Sequence, residues 1–446
     1  MKTARLFIAN RGEIAVRILR TCRELGIESV VGVSSVDRDS LAAELADRAV
    51  VLGGPHAAES YLRVGTIIEA ARGTGCDAIH PGYGFLAESP ALAAAAAEHG
   101  LRFVGPPAEV IATAGDKLAA REVAIRAGLP VVPGREVATL EEAEEFAAEH
   151  GYPLLLKAAG GGGGRGIKLA GDLEQLRLRH ALARAEAGAA FGDERLYIER
   201  LILAARHIEV QIAADEHGAV IHLGERDCST QRRYQKLVEE APAPRLDVML
   251  REQLLDAGVA FAAAIGYRNL GTVEFVVDVA AERFHFLECN CRIQVEHPVT
   301  EAVCGLDLVA LQLAIADGEP LPLQQHQVSF DGHAIECRLV AEDPARDFTP
   351  SPGRVTRFAV PTLPGLRIDT HCRDGTLIPP YYDSLMAKLI AHGADREGAL
   401  ATLREALDTL EVTGVATNRE LLARIVADPR FVAGEVTTTW LEELLA

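Results

Sequence analysis

The sequence predicts an α/β protein of three units: an N-terminal open α/β sheet, a central unit with a mobile glycine-rich lid, and a C-terminal mixed α+β region. Three observations lead there. Short apolar strands alternate with amphipathic helices over residues 5–110. Five consecutive glycines, Gly160 to Gly164, sit between two apolar segments. Beyond residue 206 strand patterns dominate at first, including two runs that face each other across Ala280-Ala281-Glu282-Arg283.

Leu6-Phe7-Ile8-Ala9 reads as the first strand. A helix follows from about Gly12 to Leu25, with Ile14, Ile18, Cys22 and Leu25 at helical spacing and Gly26 as its stop. Ser29 to Ser34 is the next strand, and Ala78-Ile79-His80 another, entering the turn Pro81-Gly82-Tyr83-Gly84. Asn10-Arg11-Gly12-Glu13 offers one glycine where a dinucleotide fingerprint needs three, and Glu13 would repel a phosphate. A second unit spans about 114–205. Its helix opens with the capping box Thr139-Leu140-Glu141-Glu142 and ends at Gly151-Tyr152-Pro153.

The glycine run is costly to order, so a globular chain keeps it where backbone approaches a ligand or moves over one. Exposed N–H groups of such a loop can cradle phosphate oxygens. The strand Tyr152 to Lys157 leads in and Gly166 to Leu169 leads out. This is not a Walker loop, because Arg165 follows the glycines and no helix starts there. A small unit around such a loop reads as a lid.

In the next region His207, Glu209 and Gln211 alternate on one strand face. Residues Thr272 to Val279 and Phe284 to Cys289 form a hairpin. If it is centred near Ala281, Glu274 faces Glu288, and Asn290 shares the face of Glu288. Opposed carboxylates with an amide oxygen suit Mg²⁺ bridging phosphates. Arg292, Gln294 and Glu296 alternate, so an extended segment would point all three one way, toward a small oxyanion. The cluster Gln231 to Lys236 is either a source of local positive potential or a surface loop with salt bridges. A mixed region runs from Gly332 and closes with a helix near Asn418 to Ile425.

The chain has 446 residues, 49% of them hydrophobic, and a net charge of −19. That balance disfavours nucleic acid as a partner. No apolar run approaches a membrane span and no signal peptide opens the chain, so a cytoplasmic protein is expected. The eight cysteines contain no CxxC pair and read as reduced thiols. A zinc site from Cys289, Cys291, Cys304 and His297 lacks the spacing.

Together, Ile8 to Ala15, His80 to Leu86, the glycine loop, Glu225-Arg226-Asp227-Cys228-Ser229 with Gln231-Arg232-Arg233, and Glu239-Glu240-Ala241-Pro242 resemble the biotin carboxylase family. The likeness continues through Arg292 to Glu301, Gly332 to Arg338 and Pro379 to Ser384, and so covers essentially the whole chain. It implies a pre-ATP-grasp domain at 1–113, an ATP-grasp domain at 114–330 with its lid at about 130–203, and a C-terminal domain at 331–446. It further implies that Lys117 and Lys157 bind ATP phosphates, with Gly163 and Gly164 closing over them. Glu199, Arg200, Leu201 and Ile202 would hold the adenine edge, and His207 and Tyr234 would contact the nucleotide. Glu274, Glu288 and Asn290 would serve two Mg²⁺ or Mn²⁺ ions. Lys236, Arg292, Gln294 and Val295 would hold bicarbonate, with Glu296 as its general base. Arg338 would stabilise the biotin enolate and Tyr83 would line the biotin site. Arg200, Leu201, Tyr234, Cys289 and Cys291 depart from the family pattern, and a thiol beside the metal site suggests oxidation sensitivity.

The implied reaction is ATP-dependent carboxylation of biotin by bicarbonate through carboxyphosphate. The sequence shows no biotinylation motif and no carboxyltransferase domain, so a separate biotin carboxyl carrier protein and carboxyltransferase subunits are expected partners. A homodimer, and acetyl-CoA as final acceptor, are further expectations from the likeness. Two rivals are an ATP-grasp ligase forming an acyl phosphate for an amine, and a non-catalytic nucleotide sensor. Neither explains Arg338 together with Gln294-Val295-Glu296.

Overall fold

The computed structural model describes residues 2–158, 168–191 and 194–445. The glycine run Gly160 to Gly164, with Arg165, lies outside the described residues, and with it the expected phosphate contacts of Gly163 and Gly164.

In the N-terminal part the strands Arg48–Gly53, Glu28–Ser34, Arg5–Ile8, Ala78–His80 and Arg102–Phe103 lie side by side in that order, all parallel. Leu6, Phe7 and Ile8 are fully buried, as expected of a strand covered on both faces. The helix Gly12–Leu25 buries Ile14, Ile18 and Cys22. Leu25 departs from the expected apolar face: it is 52% exposed, because it sits in the last turn, where the helix stops at Gly26 in the left-handed conformation (φ 68°).

The unit expected to act as a lid contains a four-stranded antiparallel sheet in the order Gly134–Val137, Leu196–Arg200, Leu154–Ala158, Lys168–Ala170. The helices Leu140–His150 and Leu173–Phe191 accompany it. The first carries the predicted capping box, with Thr139 and Glu142 exchanging bonds. The lid has its own small core, including Phe146, Leu154, Leu156, Leu176 and Ile198.

The central and C-terminal stretches share one eight-stranded antiparallel sheet. Its order is Arg283–Asn290, Asn269–Asp278, Ala205–Ala214, Val220–Arg232, Gln235–Ala241, His333–Val340, Leu385–Gly393, Leu366–Thr370. The join is the pairing of Gln235–Ala241 with His333–Val340. Asn418 clamps the far side, accepting from Val340 N–H and donating to the Arg338 carbonyl, both at 2.9 Å. The helix predicted near Asn418 is Arg419–Ala427, and two short helices, Pro429–Ala433 and Trp440–Leu445, follow it. Among the described residues no single helix is long and apolar enough to cross a membrane.

Candidate active site

A cavity of about 1110 Å³ opens between the lid, the eight-stranded sheet and the Tyr83 turn. Apart from Gly163 and Gly164, every predicted site residue lines it. The hairpin of Asn269–Asp278 and Arg283–Asn290 forms one wall, through Glu274, Glu288 and Asn290. Glu274 does pair with Glu288, but not through a regular hairpin centred on Ala281. Near the turn the register is Asp278↔Arg283, half a residue off. A one-residue irregularity between Glu274 and Phe275 leaves Leu287 unpaired and brings the carboxylates opposite each other.

Glu274 accepts from His207 Nε2 (2.8 Å), Lys236 Nζ (3.0 Å), Asn290 Nδ2 (2.9 Å) and Gln294 Nε2 (3.1 Å). Burial alone would raise its carboxyl, but Lys236 and His207 hold it well below the usual range. Glu288 is the opposite case. Burial and the facing Glu274 raise it, and Lys117 approaches only to 3.9 Å. Two opposed carboxylates beside an amide, one of them short of a close cation, fit a hard divalent ion.

Deeper in, Glu296 forms the hub. It accepts from Lys236 Nζ at 2.6 Å and from Arg338 Nη2 at 2.9 Å. Although burial works the other way, Lys236, Arg338 and Arg226 hold it well below the ordinary carboxylate range. Residues 291–296 are irregular rather than extended, and Glu296 immediately precedes the helix His297–Cys304 without capping it through its side chain. Arg292, Gln294 and Glu296 still converge on the cavity, because Arg292 Nη1 donates to Gln294 Oε1 at 2.7 Å. Val295 is fixed through its carbonyl, which accepts from Lys388 Nζ at 2.9 Å.

The basic cluster divides. Lys236 points inward, while Arg233 is a surface partner of Asp347 at 2.9 Å, and Arg232 lies 3.7 Å over the Phe348 ring. Arg233 and Tyr234 form a tight turn with φ of 49° and 66°, and Tyr234 is 72% exposed at the cavity mouth. On the lid side Lys157 is ion-paired with Glu199. The N–H groups of Arg200 and Leu201 are committed to the Pro133 and Pro153 carbonyls, both at 3.0 Å. Tyr83 donates its hydroxyl to buried Glu13, which pairs with Lys388 at 3.1 Å.

Some contributors were missed by sequence reasoning. Glu88 holds Arg292 Nε and the Cys291 N–H, both at 3.0 Å. Glu209 bridges Arg226 (2.6 Å) and Lys236 (2.5 Å); its alternation with His207 was the signal. Glu239 grips Arg338 Nε at 2.6 Å; the sequence marked it only within the Glu239-Glu240-Ala241-Pro242 motif, with no role attached. The expectation of an oxidation-sensitive thiol meets a contrary environment. Cys289 and Cys291 are buried, and their mutual hydrogen bond and burial push Cys289 well above the thiol range, which disfavours the reactive thiolate.

Residues 2–111 match the model for the biotin carboxylase N-terminal domain, and residues 336–443 that for the biotin carboxylase C-terminal domain. Between them, residues 116–324 match the ATP-binding domain of the carbamoyl-phosphate synthase L chain. The chain belongs to the biotin carboxylase family. Members of this family are ATP-grasp ligases, and this chain is an enzyme of that class. A biotin carboxylase of Nostoc sp. is 50% identical, with all of both chains covered. A biotin carboxylase–β,γ-ATP complex from Campylobacter jejuni superposes with a TM-score of 0.95 at 42% identity, covering 99% of each chain. The biotin carboxylase domain dimer of Hydrogenobacter thermophilus 2-oxoglutarate carboxylase, holding MgADP, ADP and bicarbonate, gives 0.94 at 45% identity, covering 99% and 98%.

Proposed function

We propose that this chain carboxylates carrier-bound biotin from bicarbonate and ATP. The observation that carries the reading is Glu296 held between Lys236 and Arg338 at one end of a cavity whose other walls bear Lys157, Lys117 and the Glu274–Glu288 pair. Lys117, Lys157 and His207 bind the nucleotide, with Tyr234 at the mouth and Ile202 and the carbonyls of Glu199 to Leu201 left for the adenine edge. Gly163 and Gly164 of the glycine run complete the phosphate contacts. Glu274, Glu288 and Asn290 would hold Mg²⁺, with Mn²⁺ as the substitute, and a divalent ion there would supply positive charge against the transferred phosphoryl group.

Arg292, Gln294, Lys236 and the Val295 backbone orient bicarbonate. Glu296 takes its proton so that the oxyanion attacks the γ-phosphorus, giving carboxyphosphate and ADP. A carboxylate held this far ionised is a weak base in the free enzyme. Bicarbonate drawing Lys236 and Arg338 onto itself raises the basicity of Glu296 when it is needed. Carboxyphosphate yields CO₂ and phosphate, and phosphate takes the biotin N1′ proton. Arg338 steadies the resulting oxyanion, with Tyr83 lining the ring site.

The reading extends to a separate carrier, carboxyltransferase partners, a homodimer as in the Hydrogenobacter domain, and acetyl-CoA as final acceptor. The cysteines support a reducing, cytoplasmic setting, since all eight are free thiols. The test is carboxybiotin formation from labelled bicarbonate with ATP, Mg²⁺ and biotin. ADP release indifferent to bicarbonate and biotin refutes it. Supplying the reconstituted assembly with acetyl-CoA, propionyl-CoA, pyruvate and 2-oxoglutarate tests the acceptor, and a faster rate with any of the others overturns acetyl-CoA.

A further inference from the structure

Behind Arg338 lies a second layer of charge that the reaction does not use. Glu239 and Glu336 stand directly opposite each other in the pairing of Gln235–Ala241 with His333–Val340, and both are fully buried. Paired residues in adjacent strands put their side chains on one face, a few ångströms apart. Arg338, two residues from Glu336, shares that face.

Of the four carboxyl oxygens, Glu239 Oε1 accepts from Arg338. Glu239 Oε2 and both oxygens of Glu336 have no hydrogen-bond donor among the described residues. The surrounding cations are committed elsewhere. Lys388, opposite Arg338 on the next strand, serves the Val295 carbonyl and Glu13. Lys236 serves Glu209, Glu274 and Glu296. On the covering helix His297 is buried, its Nδ1 turned to the Gln294 carbonyl, and Glu301 is paired with Arg17 and Arg367.

Two ionised carboxylates face to face in such a place are prohibitive. One proton removes the charge conflict: a protonated Glu336 donates to the free Glu239 oxygen, leaving only the neutral Glu336 carbonyl oxygen without a donor among the described residues. We propose that Glu239 and Glu336 share one buried proton, and that Glu336 thereby acts as a positioning residue for Arg338 through Glu239. The charges bear on it in the same direction. Burial sends Glu336 well above the carboxylate range, and burial opposed by Arg338 leaves Glu239 at about 7.

The consequence for catalysis rests on the reading of Arg338 given above. Arg338 lies between Glu239 and Glu296. Two fully ionised partners would cancel its charge. A proton on the outer side of Glu239 draws negative charge away from the guanidinium and leaves its field for an incoming oxyanion.

Infrared spectroscopy of the whole protein at neutral pH tests the shared proton without reference to activity. A protonated-carboxyl C=O band is expected, lost in Glu336→Gln. An identical band in the folded variant, or no such band in the parent, overturns the proposal. Should Glu336→Gln not fold, Glu336→Asp shortens the reach to Glu239 and must shift the band, and an unmoved band overturns it equally. The positioning role is read separately. Glu336→Leu should lower kcat for biotin carboxylation about tenfold, with KM for biotin nearly unchanged and partial recovery in Glu336→Gln. Equal losses in leucine and glutamine variants refute positioning while leaving the infrared result to stand or fall alone.

Discussion

Replacing Lys236 with methionine should destabilise the ligand-free protein in a pH-dependent way. The ammonium touches Glu209 at 2.5 Å, Glu296 at 2.6 Å and Glu274 at 3.0 Å, in a site where Lys236 is 13% exposed. Removing one partner of a buried ion pair costs about 3–5 kcal/mol. Each carboxylate keeps another cation or histidine: Arg226 for Glu209, Arg338 for Glu296, His207 for Glu274. The lower figure, about 3 kcal/mol, is therefore expected. At about 2–4 °C per kcal/mol for a unit of 150–250 residues, Tm falls by roughly 6–12 °C. Glu274 and Glu296 are depressed in the folded parent from an ordinary 4.5. They contribute stability above that value and lose it as pH falls through their folded values. Lys236 is raised from 10.5, since Cys228 and the carboxylates outweigh burial; its contribution is complete below that value and lost as pH rises through the folded one. In the variant the carboxyls titrate higher, so the penalty is full at neutral pH and shrinks toward about pH 5, where they take up protons. Thermal unfolding in chelator across that range is the assay. A Tm loss that is the same at both ends, or under about 2 °C throughout, refutes the reasoning.

Glu288→Gln should abolish Mg²⁺-dependent ATP turnover with the fold intact, since Glu288 has only distant Lys117 to lose; substantial activity in the folded variant counts against the metal assignment. Arg338→Ser should lose biotin carboxylation by roughly 10²–10³-fold while keeping more bicarbonate-dependent ATP cleavage, whereas Glu296→Ala loses both. ADP and carboxybiotin measured on the same samples give the ratio, and proportionate losses in both variants contradict the division of roles. Thr139→Ala removes the lid capping box and should cost about 1 kcal/mol, seen as earlier proteolysis of the lid; unchanged cleavage rates argue against it.

Legibility followed sequence distance. Glu274 opposite Glu288 was readable because a short turn links their strands, and even there the bulge at Leu287 was not. That Glu209 shares a strand face with His207 followed from alternation, but its hold on Arg226 and Lys236 did not. Glu88 on Arg292, Lys388 on Glu13 and Glu239 on Arg338 join segments 204, 375 and 99 residues apart. No local periodicity encodes such contacts. The segment 291–296 was expected to be extended and is not. Its side chains converge because Arg292, Gln294 and Glu274 bond to one another, a tertiary cause. The likeness to the family pointed to residues that line one cavity, Glu199, Glu274 and Glu296 among them, but gave no site role to Glu88, Glu209 or Glu239.

Those carboxylates decide how the site fills. Without ligand, Lys157 is taken by Glu199, Lys236 by three glutamates, Arg292 by Glu88 and Arg338 by Glu239 and Glu296. An anionic substrate can claim such a cation only by leaving a glutamate one cation short, which costs about 1–3 kcal/mol or more for a charged group. On the reading proposed above, a divalent ion arriving with the nucleotide would offset that cost, since Glu274 and Glu288 would hold the metal while the lysines turn to the phosphates. Binding is thus an exchange of partners rather than a filling of free charges. ATP in chelator should therefore bind about tenfold to a hundredfold more weakly than MgATP, and Glu288→Gln should narrow that gap by weakening the MgATP side. Titration calorimetry with and without Mg²⁺ measures both. Equal affinities for ATP and MgATP in the parent protein would show that the lysines are free to bind phosphate, contrary to the ion pairs described here.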